Sequence, residues 1–173
     1  MVHEFKKSFE TGKLAEKYAE KYFIKHNYKY KDVRNNPEYW KIDIDYIVNG
    51  ETYEVKQNYH NAIYGRKGNY FWVELSVGDK QGFWYKSKAD YFLFFNSEGS
   101  GILIQNNEAF KNIVTGFIKN GDHSKEGNNR IDIIKDQRHN NIIEVSNMRI
   151  YVEDLLNTGV NMNKIVNRRK NAA

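Results

Sequence analysis

Four side chains in one short stretch have the types and spacing to hold a divalent cation and act on a phosphate ester: Asp43, Asp45, Glu54 and Lys56. They flank Asn49-Gly50, which lies between two runs of alternating β-branched and aromatic residues and so predicts a two-residue type I′ hairpin. With that turn, Val48 pairs with Glu51, Asp45 lies directly opposite Glu54, and Asp43 lies opposite Lys56. Side chains alternate along a strand, so these four project from one face. Ile44, Tyr46, Val48, Tyr53 and Val55 project from the other, where they can pack on a core. Two carboxylates directly across a strand pair sit about 4.5–5.5 Å apart at Cβ and repel each other. A divalent cation reverses that interaction, and hard oxygen ligands are the kind Mg2+ prefers. Lys56 beside them can orient the attacking water or meet charge building on a phosphate, while the metal lowers the water's pKa and polarises the phosphoryl oxygens. The structural alternative is a solvated strand face with one Asp–Lys pair, worth about 0–1 kcal/mol.

The elements around this hairpin read as one α/β domain. Residues 8 to 26 carry Leu14, Ala15, Tyr18, Ala19, Tyr22 and Phe23 at helical spacing, with Ser8 or Thr11 as the cap. The chain's single proline, Pro37, falls in the connection that follows. Strands are expected over 70–76, 91–95 and 101–105. The apolar run 91–95 has the continuous character of a central buried strand. A helix is expected over 107–119, strands over 131–134, 142–145 and 149–152, and a short helix near 152–156. The expected domain spans 1–160, and residues 161–173 form a basic tail.

Bulk properties agree with a single soluble domain. The chain has 173 residues, 40% of them hydrophobic and 28% charged, with 13 Tyr and 10 Phe to build a core. No run reaches the roughly 18–20 apolar residues of a membrane span, so no membrane partner is expected. The polar N-terminus lacks the apolar region of a secretory signal. With no cysteine, disulfides and thiolate zinc sites are excluded, and a cytoplasmic location fits. The net charge of +5 favours a polyanionic partner such as DNA.

Asp43 or Asp45, a hairpin, and then Glu54-Val55-Lys56 resemble the core pattern of the PD-(D/E)XK nuclease superfamily. The stretch from Gly12 through Glu16 to Glu20 resembles its first helix. The stretches Gly68-Asn69 to Glu74 and Lys86 to Asp90-Tyr91 are similar to segments of small phage-type members. The resemblance covers roughly residues 12 to 95 and continues weakly through 101–119. It implies a central mixed sheet flanked by helices, with a restriction-endonuclease-like core. It implies a Mg2+-dependent deoxyribonuclease, with Mn2+ able to substitute. The acids bind the metal, the Val55 carbonyl completes its shell, and Lys56 assists the water. Glu16 is implied as an auxiliary acid, with Glu20 one turn on. The family's proline before the Asp is missing, and Ile42 and Ile44 stand there instead. Cross-strand geometry favours Asp45 as the principal ligand, while the family's wider spacing keeps Asp43 open.

Further candidates lie around the hairpin. Glu74 either extends the acidic cluster or faces water. Arg66 and Lys67, between Gly65 and Gly68, and Lys86 and Lys88 are candidates for the DNA backbone, though exposed lysines are more often simply solvated. The aromatic run Phe83-Trp84-Tyr85 either stacks on unpaired bases or is core, and core is the expectation. A domain this small that cuts both strands is expected to act as a homodimer. The rival readings are a non-catalytic nucleic-acid-binding module that keeps the fold, and a hydrolase of free nucleotides. The absence of a Gly-x-x-x-x-Gly-Lys-Ser/Thr loop weighs against the second.

Overall fold

The structure, a computed structural model, describes residues 3–60, 68–120, 131–138, 141–156 and 158–166. In chain order the elements are β1 (His3–Glu4), α1 (Phe5–Lys25), β2 (Tyr30–Asp32), α2 (Pro37–Trp40), β3 (Tyr46–Val48) and β4 (Glu51–Lys56). Then come β5 (Tyr59–His60), β6 (Tyr70–Val77), β7 (Lys80–Gln81), α3 (Phe83–Lys86), β8 (Tyr91–Phe95) and β9 (Gly101–Gln105). The chain continues through α4 (Glu108–Lys119), β10 (Ile131–Arg138), β11 (Asn141–Tyr151), α5 (Val152–Leu155) and β12 (Met162–Ile165).

Among the described residues these five helices and twelve strands make one α/β domain with two mixed sheets. The first sheet runs β2-β3-β4-β8-β9-β12, parallel at β4–β8 and antiparallel elsewhere. The second runs β1-β10-β11-β6-β5, with β7 also on β6. A single central sheet between helices was expected, and here a second sheet covers one face of the first.

β8 shows why the layers stack this way. Its residues alternate between two cores, so the strand reads as continuously apolar. Leu93 and Phe95 face α1, where Ala15, Ala19 and Phe23 recur every fourth residue and are buried. Small alanines let α1 approach the sheet closely, and the Phe23 ring fills the space between Tyr46 and Tyr53 at 5.4 and 5.6 Å. Phe92 and Phe94 face the other way, into a core shared with Phe71, Phe83, Phe110 and Ile150. Phe110 belongs to α4, whose start is fixed by Asn107: its side chain accepts from the Phe110 N–H at 3.0 Å.

The hairpin has the expected turn and register. Asn49 and Gly50 take φ of +52° and +94°, the two positive values a type I′ turn requires. Val48, Ile47 and Tyr46 pair with Glu51, Thr52 and Tyr53. Two other expectations are corrected. The strands at 142–145 and 149–152 are one strand, β11, whose register shifts between Ser146 and Asn147. That irregularity interrupts the two-residue alternation, which is why the strand reads as two. The start of the expected basic tail contributes β12, which pairs with β9. Residues 167–173 lie outside the described residues. Among those described, no helix is long and apolar enough to cross a membrane.

Candidate active site

The site lies where β3 gives out. Asp45 N–H donates to the Tyr53 carbonyl at 2.8 Å, although Tyr53 is already the ladder partner of Tyr46. Two residues facing one is the count of a β-bulge, and the bend it makes carries Asp45 out of the ladder. Its carboxylate takes the ladder's place: Oδ2 accepts the Val55 N–H at 2.8 Å. Asp45 is therefore not directly opposite Glu54, as the plain register had it, but reaches one residue further along β4.

Alternation along β4 places Tyr53 and Val55 against α1 and turns Glu54 and Lys56 to the other face. Glu54 is 2% exposed and ion-paired to Lys56 through Oε1. Its second oxygen, Oε2, is buried with no hydrogen-bond partner. Burial drives the Glu54 pKa well above the ordinary range, against the pull of Lys56 and with Asp45 adding to the rise. Asp45 is raised in the same sense, first by burial, with Lys56, the Val55 N–H and Arg34 opposing. For Lys56 burial works to lower the pKa, but Glu54, Asp45 and Asp43 outweigh it and the net shift is upward. Its ammonium also lies 5.1 Å from the centroid of the Phe83 ring.

Asp43 is drawn elsewhere. It takes φ of +47°, outside the extended backbone a strand needs, and so does not face Lys56 across a ladder. Its Oδ1 accepts from Lys86 Nζ at 2.7 Å, and its carbonyl accepts from Ser87 Oγ at 3.0 Å. Asp43 still lies close enough to push up the pKa of Glu54 and Asp45.

On the α1 side, Glu16 is ion-paired to Arg34. Burial raises the Glu16 pKa, Arg34 opposes, and the Asp45 charge adds to the rise, so this acid belongs to the same electrostatic group. Arg34 also donates to Asp32 Oδ1 at 2.9 Å and to Glu20 Oε1 at 3.3 Å, and lies 5.0 Å from the centroid of the Tyr46 ring. Glu20 accepts from the Tyr46 hydroxyl at 3.0 Å, which makes it a partner of Arg34 and Tyr46. The sequence reading missed Arg34. No spacing rule marks it, and only its place among acids distant in sequence reveals it.

Glu74 does not join the group. On β6, Phe71, Val73 and Leu75 face the inter-sheet core, so Tyr70, Trp72 and Glu74 occupy the outer face of the second sheet. Lys86 is tied to Asp43, and Lys88 is exposed. Arg66 and Lys67 lie outside the described residues.

The donors present suit a hard divalent cation. Glu54 Oε2 is a buried carboxylate oxygen without a partner, and Asp45 lies across the strand edge from it. Val55 has the same sense in β4 as Tyr53, whose carbonyl meets Asp45 N–H, so its own carbonyl points to that edge. Among the described residues no group of three or more Asp, Glu or His side chains forms a ligand cage. Two carboxylates, a carbonyl and remaining waters match the way Mg2+ is commonly held. No protein-family model matches the chain, and neither a curated protein nor a solved structure matches it.

Proposed function

We propose that this protein is a Mg2+-dependent deoxyribonuclease that hydrolyses phosphodiester bonds with Asp45, Glu54 and Lys56. The observation that carries the reading is the buried Glu54 carboxylate, ion-paired to Lys56 through Oε1 and unpartnered at Oε2 beside Asp45. A buried carboxylate with one oxygen left unsatisfied is expensive, and a bound cation would offset that cost. Asp45 and Glu54 are the ligands, with the Val55 carbonyl beside them. Asp43 is secondary, because Lys86 already holds it. A cation held there supplies Lewis-acid polarisation of the phosphate and a more acidic water.

The chain's own groups do the rest. Lys56 places a positive charge and N–H donors on the face shared with Glu54, where they orient a water and meet charge on the phosphate. The Phe83 ring beneath confines that ammonium. Arg34 holds Glu16 on the α1 side. The net charge of +5 supports DNA as the partner.

The test is cleavage of linear, circular, single-stranded and branched DNA in Mg2+ or Mn2+, with EDTA and Lys56→Ala as controls. Metal-dependent cutting lost in Lys56→Ala supports the reading. A wild-type protein that binds DNA but cuts nothing leaves the non-catalytic binding module in its place.

A further inference from the structure

Two aromatic side chains stand in solvent beside the Asp43 turn. Trp40 is 64% exposed and Tyr85 is 52% exposed. They come from α2 and α3, far apart in sequence, and both segments are tied to Asp43. Asp43 N–H donates to the Trp40 carbonyl at 3.3 Å, and Tyr85 immediately precedes Lys86, whose ammonium holds Asp43. Lys88 N–H donates to the Ile42 carbonyl at 3.1 Å, and Ser87 Oγ donates to the Asp43 carbonyl at 3.0 Å, so the two segments are stitched together. α3 therefore splits the run Phe83-Trp84-Tyr85 by task. Phe83 is buried beneath the Lys56 ammonium, Trp84 packs on the core, and Tyr85 is left outside.

A singly exposed hydrophobic side chain is ordinary, but two aromatic rings on segments tied to one acidic site make a surface for a partner. The charge around them selects that partner. Lys41 follows Trp40 and is exposed, Lys88 lies three residues past Tyr85 and is exposed, and Lys86 stays 40% exposed even in its ion pair, against one exposed acid on α2, Glu38. Flat rings interleaved with lysines form the surface that grips a nucleic-acid strand whose bases are unstacked, the rings stacking on bases and the ammonium groups tracking phosphates. An intact duplex keeps its base faces covered and offers the rings nothing.

We infer that Trp40 and Tyr85 form a stacking platform for unpaired bases at the mouth of the Asp45–Glu54–Lys56 site, so that the substrate is DNA with a single-stranded segment. The inference rests on the nuclease reading for what happens to the bound strand, but its binding arm is independent of cleavage.

The experiment measures binding in EDTA, so that no strand is cut. Fluorescence anisotropy compares oligo-dT, a blunt duplex and a duplex with a single-stranded flap, for wild type, Trp40→Ala and Tyr85→Ala. Each alanine variant is expected to weaken oligo-dT and flap binding by roughly 10-fold and to leave the blunt duplex nearly unchanged. Trp40→Phe and Tyr85→Phe, which keep a ring, are expected to retain most of the affinity. Oligo-dT is also expected to quench wild-type tryptophan emission far more than that of Trp40→Phe. Equal losses on duplex and single strand, or no loss on either, overturn the platform. So does a wild-type protein that ignores oligo-dT, which leaves these rings to a protein partner. Ring-dependent binding by a protein that cuts nothing in Mg2+ upholds the platform and removes the nuclease reading alone.

Discussion

Asp45 Oδ2 accepts the Val55 N–H at 2.8 Å, so one side chain both closes the open edge of β4 and is fixed beside Glu54. The two duties separate by substitution. Asp45→Asn keeps an oxygen for the Val55 N–H but removes the anion; Asp45→Ala removes both. The Asn variant is expected to melt close to wild type in EDTA while its Mg2+-dependent activity falls by about 100-fold or more. The Ala variant should lose an additional ~1–2 kcal/mol of stability for the unsatisfied N–H. Chemical denaturation beside a cleavage assay checks both, and an active Asn variant would remove Asp45 from the ligand set.

Glu54 sets a pH dependence of definite sign. Its folded pKa is raised above the unfolded value, chiefly by burial, so between the two the folded protein binds the extra proton. Stability from this group therefore falls as pH climbs from the unfolded pKa through the folded one. In EDTA, the stability difference between wild type and Glu54→Gln should move against wild type across that window. The Lys56 attraction is already contained in the folded pKa of Glu54, so it limits the width of the window and leaves the sign of the slope unchanged. Mg2+ should reverse the trend for wild type alone. Thermal melts over a pH series report it, and a flat difference would place Glu54 in a solvated setting.

What the sequence made legible follows from how local the signals are. The type I′ turn is written in two residues, and the register Tyr46–Tyr53 follows from it without tertiary help. Helix α1 and strand β8 announce themselves by apolar spacing over long or fully buried runs. Glu54 and Lys56 fall on the expected face for the same reason. The bulge at Asp45 was not legible, because it depends on the turn at Asp43, whose positive φ is stabilised by contacts with Ser87 and Lys86 over forty residues away. The one-turn helices α2 and α3 are too short to show periodicity, yet α3 carries Phe83 and Lys86 to the site and α2 leads into the Asp43 turn. Arg34 was hidden because its partners Glu16 and Glu20 are distant along the chain and only packing brings them together.

Lys56 should separate metal binding from turnover. Its ammonium neutralises Glu54 without occupying Oε2. Lys56→Ala is expected to cut cleavage by about 100-fold or more while leaving Mn2+ affinity equal to or tighter than wild type, since a competing positive charge is gone. Mn2+ titration followed by electron paramagnetic resonance gives the affinity directly. Loss of the metal together with activity would make the lysine a structural support for the acids.

Arg34 is ion-paired to Glu16, Glu20 and Asp32, and it is half-buried over the Tyr46 ring. Arg34→Ala leaves those three carboxylates facing one another with Asp45 close by, since the Asp45 charge already acts on Glu16. The pairs are partly exposed, so water screens much of the loss, and the variant should be less stable by about 1–2 kcal/mol. The deficit should shrink as salt is raised, because the remaining interaction is repulsion between like charges at distances the ionic atmosphere reaches. Arg34→Lys restores one charge but neither the forked contacts with Asp32 nor the stacking on Tyr46, so it should recover only part of the stability. Urea denaturation at low and high salt distinguishes this from loss of packing: a deficit that salt leaves untouched would mean that the Arg34 stem, rather than its charge, holds α1 against β3.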